Sequence, residues 1–154
     1  MTDAIEERLN GLGRRLPEPA VPVGNYVGAV RTGSLVFVSG HGPFLDGELA
    51  YVGRVDTEVS VADARAAAEL VVLNCLRSLR DEIGSLDRVV RIVRLFGMVN
   101  SAPAFTRQPE VMDGASDLLT DLFGPAGAHA RAAVGMAALP LNIPVEIELV
   151  VEVR

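Results

Sequence analysis

Residues 61–83 limit the fold of this chain more than any other segment. Val61, Ala64, Ala68, Val72, Cys75, Leu79 and Ile83 recur at spacings of three and four, which draws one apolar stripe along a helix. Ser60 followed by Asp63 makes a capping-box-like start, and Gly84 supplies the stop. At 1.5 Å per residue such a helix runs about 35 Å, enough to cross a whole sheet. A stripe of that length needs an equally extended apolar surface to lie on.

The flanking segments supply one. Val27–Val30 and Leu35–Ser39 read as two strands joined by Arg31-Thr32-Gly33-Ser34, a hairpin signal. A short third strand is expected near Leu49–Val52. Val89–Val99 is apolar on both faces apart from Arg91 and Arg94, which suits an interior strand. A second helix is predicted over Met112–Phe123, closed by Gly124-Pro125. Ala130–Leu139 and Val145–Val153 are expected to be strands that pair as a hairpin around Pro140–Pro144. Alternation is complete in the last: Val145, Ile147, Leu149, Val151 and Val153 face one way, and Glu146, Glu148, Val150, Glu152 and Arg154 the other. Residues 3–14, capped by Thr2 or Asp3, form a weaker first helix, since Gly11 and Gly13 cost helix stability. The order strand–strand–helix–strand–helix–strand–strand predicts an α+β fold with two helices packed on one face of a mixed sheet. The other face then carries small and apolar residues such as Ala133, Gly135 and Ala137, or their alternates. A patch of that kind marks an interface, so a closed oligomer is expected.

Composition narrows the function. The chain has 154 residues and a net charge of −6, and all 14 of its basic residues are arginine. Without lysine there is no Schiff-base, pyridoxal-phosphate or phosphate-loop lysine. A lone cysteine, Cys75, excludes an intramolecular disulfide and a multi-cysteine metal site. Its place on the apolar stripe makes it a buried, inert thiol. Acidic balance with 5% aromatics argues against a general nucleic-acid binder. No apolar run is long enough to span a bilayer, and the acidic start lacks signal-peptide character, so a cytoplasmic location is expected. Nothing marks a linker, and residues 1–154 read as one domain.

Few residues offer chemistry. Arg131 opens a strand of very small side chains, which leaves room beside a bidentate donor suited to a carboxylate; a surface ion pair is the competing reading. Glu146 and Glu148 share a strand face, where they are either solvated or positioned to hold a water. His41 lies in Ser39-Gly40-His41-Gly42, where flanking glycines let the backbone approach a ligand, or where the loop simply turns in water. His129 could pair with Arg131 or mark the strand entry. The two histidines are too far apart for a metal motif, and no metal is expected. Tyr26 sits just before a strand, and Asp113-Gly114 with Ser116 reads as a turn and helix N-cap.

Gly24-Asn25-Tyr26, Gly33-Ser34-Leu35-Val36-Phe37-Val38-Ser39-Gly40, and Arg131 before Leu139-Pro140 and Val145-Glu146-Ile147-Glu148 together resemble the RidA/YjgF/UK114 family of reactive-imine deaminases. The resemblance runs from about Tyr26 to the C-terminus and leaves residues 1–22 outside it as an N-terminal extension. It implies a chorismate-mutase-like fold assembled as a homotrimer, with ligand clefts between subunits. It also implies cofactor-independent hydrolysis of 2-imino or enamine acids to 2-oxo acids and ammonia. By position, Arg131 would bind the substrate carboxylate and Glu146 would handle the attacking water. Tyr26, Ser39 and Gly40 would line the pocket. This sequence departs from the family at Ala133, where a cysteine is common, at His41, where a glutamine is usual, and near Asp113, where a pocket asparagine falls. A divergent subgroup is implied, and a non-catalytic small-carboxylate-binding or regulatory module on the same fold is the alternative. On the expected hairpin, Arg131 and Glu146 lie roughly 23 Å apart. They could meet only across a subunit boundary.

Overall fold

The computed structural model describes residues 3–154, and its elements follow the expected order closely. Helix α1 (Ala4–Gly11) is capped by Asp3, whose carboxylate accepts from the amides of Ile5 and Glu6. Thr2, the alternative cap, lies outside the described residues. Strands β1 (Ala29–Thr32) and β2 (Leu35–His41) form the antiparallel hairpin, with Thr32 opposite Leu35. In place of a strand at 49–52, a two-residue pair forms between β3 (Phe44–Leu45) and β4 (Glu48–Leu49). Asp46 and Gly47 turn it, both at positive φ.

Helix α2 (Val61–Ile83) has the expected bounds. The Ser60 hydroxyl accepts from the Asp63 amide at 3.1 Å, and Gly84 ends the helix in the left-handed region that a residue with a side chain rarely enters. Its stripe packs on one face of a five-stranded sheet, in which Val36, Val38, Ile92, Leu95, Ile147, Leu149 and Val151 are all buried. Strand β5 (Val89–Asn100) is interior, as expected. Helix α3 (Gln108–Phe123) begins four residues earlier than the sequence reading placed it. Pro109 fits the first turn, where a missing N–H costs nothing. Asp113, Gly114 and Ser116 are therefore helix interior, not a turn and cap. Gly114 serves packing instead: a Cβ there would lie 2.2 Å from the Arg65 carbonyl oxygen, so only glycine lets α2 and α3 approach this closely.

Strand β6 (Ala130–Met136) and strand β7 (Val145–Val153) do not form the expected hairpin. The strand order is β1-β2-β7-β5-β6, with β5 between them. β6 runs parallel to β5, pairing Arg131 with Leu95 and Val134 with Met98, while β7 is antiparallel to both β2 and β5. The chain therefore makes a parallel β5–α3–β6 crossover and then steps back across β5. Leu139 and Ile143 in the connection pack on Met98 of β5, forming a small second core on the helix-free face. That burial, which stabilises by about 1.5–3 kcal/mol for a fully buried side chain, is available to the crossing connection and would be lost in a tight hairpin.

The fold is thus mixed α+β, with α2 and α3 covering one face and α1 set against α3 at one end. The other face exposes Val30, Phe37, Val90 and Val134. No helix among the described residues is long and apolar enough to cross a membrane.

Candidate functional site

The residues singled out in the sequence fall into two groups. The first gathers around Glu146. Strand β2 carries a bulge: Val38 pairs with Leu149 and His41 with Ile147, so three residue steps on β2 oppose two on β7. The bulge brings Gly40 against the Glu146 side chain. A Cβ at Gly40 would lie 3.1 Å from the Glu146 carboxyl carbon and 3.2 Å from Oε2, so any side chain there would push the carboxyl aside by a few tenths of an ångström. Burial, and secondly the charge of Glu148, raise the Glu146 carboxyl above its ordinary value. A cavity of about 250 Å³ opens in front of it. Tyr26, Phe44, Pro140, Leu141 and Ile143 supply most of its apolar wall, together with Ala20–Val23.

Leu141 and Asn142 both adopt positive φ at the cavity's rim, with values of 58° and 56°. For a leucine this costs free energy, and the surrounding bonds hold it. The Gly53 amide donates to the Asn142 carbonyl at 2.8 Å, and Asn100 Nδ2 donates to the Asn142 side chain at 3.0 Å. Residues 17–23 reach the cavity as a strap tied to the β3–β4 turn. Arg15 pairs with Asp46, and the Glu18 amide donates to Asp46 at 3.0 Å.

Two of the expected pocket residues make internal bonds, although His41 also lines the cavity. His41 is buried, with Nδ1 2.5 Å from the Ser39 carbonyl and Nε2 2.7 Å from the Ser78 hydroxyl. Burial lowers its pKa despite the backbone bond. It is a neutral linker between β2 and α2, neither a wet loop residue nor a free base. The Ser39 hydroxyl donates to the Val27 carbonyl at 2.6 Å, closing the loop before β1. Tyr26 is half-exposed, and its hydroxyl accepts from the Val23 amide at 3.3 Å.

The second group lies on the edge strand. Arg131, Ala133 and Gly135 face the helices, and Arg131 Nη1 donates to Asp113 Oδ1 at 2.8 Å and to the Ser116 hydroxyl at 3.1 Å. The Arg131 side chain is 24% exposed and Asp113 48%. Ser116 lies 2.9 Å from His129 Nε2, and His129 Nδ1 lies 2.6 Å from the Gly127 carbonyl. His129 thus reaches Arg131 only through Ser116. Sequence reasoning missed that bridge because it read Asp113-Gly114 and Ser116 as a turn and cap. As helix interior, Asp113 and Ser116 are three apart and share a face.

The two groups are separate within one chain. Glu146 points to the helix-free face and Arg131 to the helix face, on strands two positions apart with three residues between their levels. The strand lattice puts them about 14 Å apart. The 23 Å expectation fails with its hairpin, but the conclusion that one chain cannot apply both groups to one small molecule survives on the new geometry. Among the described residues no cluster of three or more His, Cys, Asp or Glu could hold a metal ion.

This arrangement of sheet and helices has clear relatives. Residues 6–153 match the family model described as "YjgF/chorismate_mutase-like, putative endoribonuclease". Protein TCP17 of Trypanosoma cruzi is 40% identical over 151 residues, covering 97% of this chain and 94% of that protein. The crystal structure of an Agrobacterium tumefaciens protein, titled as of unknown function, has a TM-score of 0.92 at 43% identity, over 98% of this chain and 93% of that one. The crystal structure of a "putative endoribonuclease" from Shewanella oneidensis has a TM-score of 0.93 at 37% identity, over 97% of this chain and 99% of that one. Likeness at the level of fold alone extends to E. coli TdcF with bound serine, at 22% identity and a TM-score of 0.62 over 88% of this chain and 93% of that one. The chain belongs to the YjgF/chorismate-mutase-like family, in a subgroup diverged from the E. coli YjgF gene product, to which it is 24% identical with a TM-score of 0.63.

Proposed function

We propose that this protein hydrolyses reactive 2-imino or enamine acids to 2-oxo acids and ammonia, without a cofactor, in clefts between the subunits of a homotrimer. The observation that carries this reading is the split of the site. A guanidinium waits on the edge strand and a half-buried carboxyl faces a small cavity, on opposite faces of one sheet. A second copy would bring one beside the other. The exposed Val30, Phe37, Val90 and Val134 give the helix-free face the apolar character of an interface. The bound serine of TdcF, a small carboxylate ligand, agrees with an arginine-centred site.

In this reading Arg131 fixes the substrate carboxylate, and Tyr26 with the Gly40 backbone confines the ligand. Glu146 orients a water onto the C=N carbon. Its raised carboxyl suits both taking a proton from water and returning it to the leaving nitrogen. Imines hydrolyse unaided, so positioning and proton transfer suffice. The test generates 2-iminopropanoate with an amino-acid oxidase and follows its decay. Wild type should accelerate decay, and Arg131→Ala should lose about 100-fold in kcat/KM, the scale of a charged hydrogen-bonded contact. No acceleration by wild type, or an undiminished one in the variant, would reject deamination. Light scattering reads the trimer directly.

Two observations favour a binding module without catalysis on the same fold: Arg131 is already engaged by Asp113, and position 133 carries a methyl group where the deaminases commonly have a thiol. Binding of small 2-oxo acids with no turnover would establish that reading. Ribonuclease activity has less support, since both histidines are tied to internal partners and the chain carries net charge −6.

A further inference from the structure

The strap that closes one side of the Glu146 cavity is built to hold its course. Pro17, Pro19 and Pro22 each fix φ, so the segment is stiff before any bond forms. Its ties gather at one end. Arg15 and the Glu18 amide both bond to Asp46, and Arg77 Nη1 on α2 donates to the Pro17 carbonyl at 3.4 Å. What the strap encloses is apolar. Around the mouth Val23, Tyr26 and Leu141 are 65%, 49% and 53% exposed, surface that a ligand side chain would bury. Polar capacity is nearly used up. Both His41 nitrogens have internal partners, and the Tyr26 hydroxyl already accepts from the Val23 amide. Beyond the Glu146 carboxyl, the side chains of the wall leave a polar ligand group only the Tyr26 hydroxyl proton. A polar group buried there without a partner loses about tenfold or more in affinity.

We propose that the strap and Leu141 form a side-chain subsite, which selects 2-imino acids with large apolar side chains of leucine's size. This deepens the function proposed above and rests on it. With the carboxylate on Arg131 of a second copy and the imino carbon opposite Glu146, the side chain is the part left to face this wall. The cavity, about 250 Å³, is several times the roughly 30 Å³ that one water-sized group fills. Each buried carbon is worth about fourfold in affinity, so the three that leucine's side chain adds to alanine's methyl give up to about 60-fold. Val23 and Leu141 then set specificity by contact. Asp46 is a positioning residue, acting only through the strap that it anchors.

The decay assay, run with the imines of alanine, leucine and asparagine, tests this, because the last two side chains match in size and differ in polarity. Wild type should show a kcat/KM at least about tenfold higher for the leucine imine than for the alanine imine, with no gain for the asparagine imine. Calorimetry should rank 4-methyl-2-oxopentanoate above pyruvate by a similar factor. Asp46→Gly cuts both bonds at Asp46 and suits the positive φ of 51° there. It should bring the preference below about threefold, mainly by raising KM for the leucine imine. Val23→Ser, at a largely exposed position, is the second variant and should lower the preference about threefold. Thermal melts confirm that each is folded. Turnover without a leucine preference, or a preference that neither variant lowers, would overturn the subsite and leave deamination standing. A binding preference without turnover would support the subsite and reject deamination. Neither turnover nor binding of any of these ligands would overturn both.

Discussion

The Glu146 and Arg131 regions reach their geometry by opposite means. Glu146 is set by backbone: a strand bulge, a glycine without a side chain, and a rim held in left-handed conformation bring a carboxyl beside an apolar cavity. Arg131 is set by side chains: a guanidinium on an edge strand is held by a carboxylate and a hydroxyl from the neighbouring helix. The first region shifts its ionisable group by removing water from it, and the second keeps its charge in place by pairing. Damage to the two should therefore look different, and four measurements press on that difference.

The largest effect is expected at Gly114. A Cβ 2.2 Å from the Arg65 carbonyl must drive α3 from α2, at about 3 kcal/mol for Gly114→Ala, read by urea denaturation. Because α3 carries Asp113 and Ser116, carboxylate binding should fall while the Glu146 cavity persists. Equal damage to both regions would break the distinction.

Glu146→Gln should lower kcat about 100-fold in the imine assay with little change in KM, the signature of a lost proton-transfer group. A comparable rise in KM would instead make Glu146 a binding residue like Arg131.

The pH dependence of stability should separate the regions further. Burial raises the Glu146 carboxyl from 4.5, so the folded state holds its proton more tightly than the unfolded chain. Stability from this group is present at low pH and declines as pH rises from about 4.5 through the raised folded value. Glu146→Gln should abolish that decline. His41 acts in the opposite direction: burial lowers its pKa from 6.5, so stability falls as pH drops below about 6.5 toward the lowered folded value. Urea midpoints across pH 4–8 for wild type, Glu146→Gln and His41→Gln resolve the two.

The smallest effect is expected at Tyr26, whose half-exposed hydroxyl makes one long bond to the Val23 amide. Tyr26→Phe should change stability by less than about 0.5 kcal/mol. A larger loss would mean that this bond, and not the bulge alone, holds the Glu146 cavity in shape.

Much of this architecture was legible in the residues. The α2 stripe and the alternation of β7 gave their elements with the bounds observed. Gly40 and Glu146, singled out far apart in the sequence, line one cavity, and Arg131 and Asp113 bond each other. What went unread was non-local. His41 looked like a loop histidine because Ser78, its partner, lies 37 positions away on α2. Asp113 looked like a turn because Gly114 beside it weakens helix propensity, and only the closeness of Arg65 explains that glycine.

The strand order shows the division most plainly. Periodicities of two and 3.6 are properties of a single segment, so the sequence determined which residues form strands and helices and which faces they bury. Whether β6 pairs with β7 or with β5 depends on what the connection can bury when the chain closes. Leu139 and Ile143 find Met98 only after β5 lies between the two strands. That contact exists in no segment alone, and with it the tertiary structure decided that Arg131 and Glu146 stand on opposite faces of one sheet.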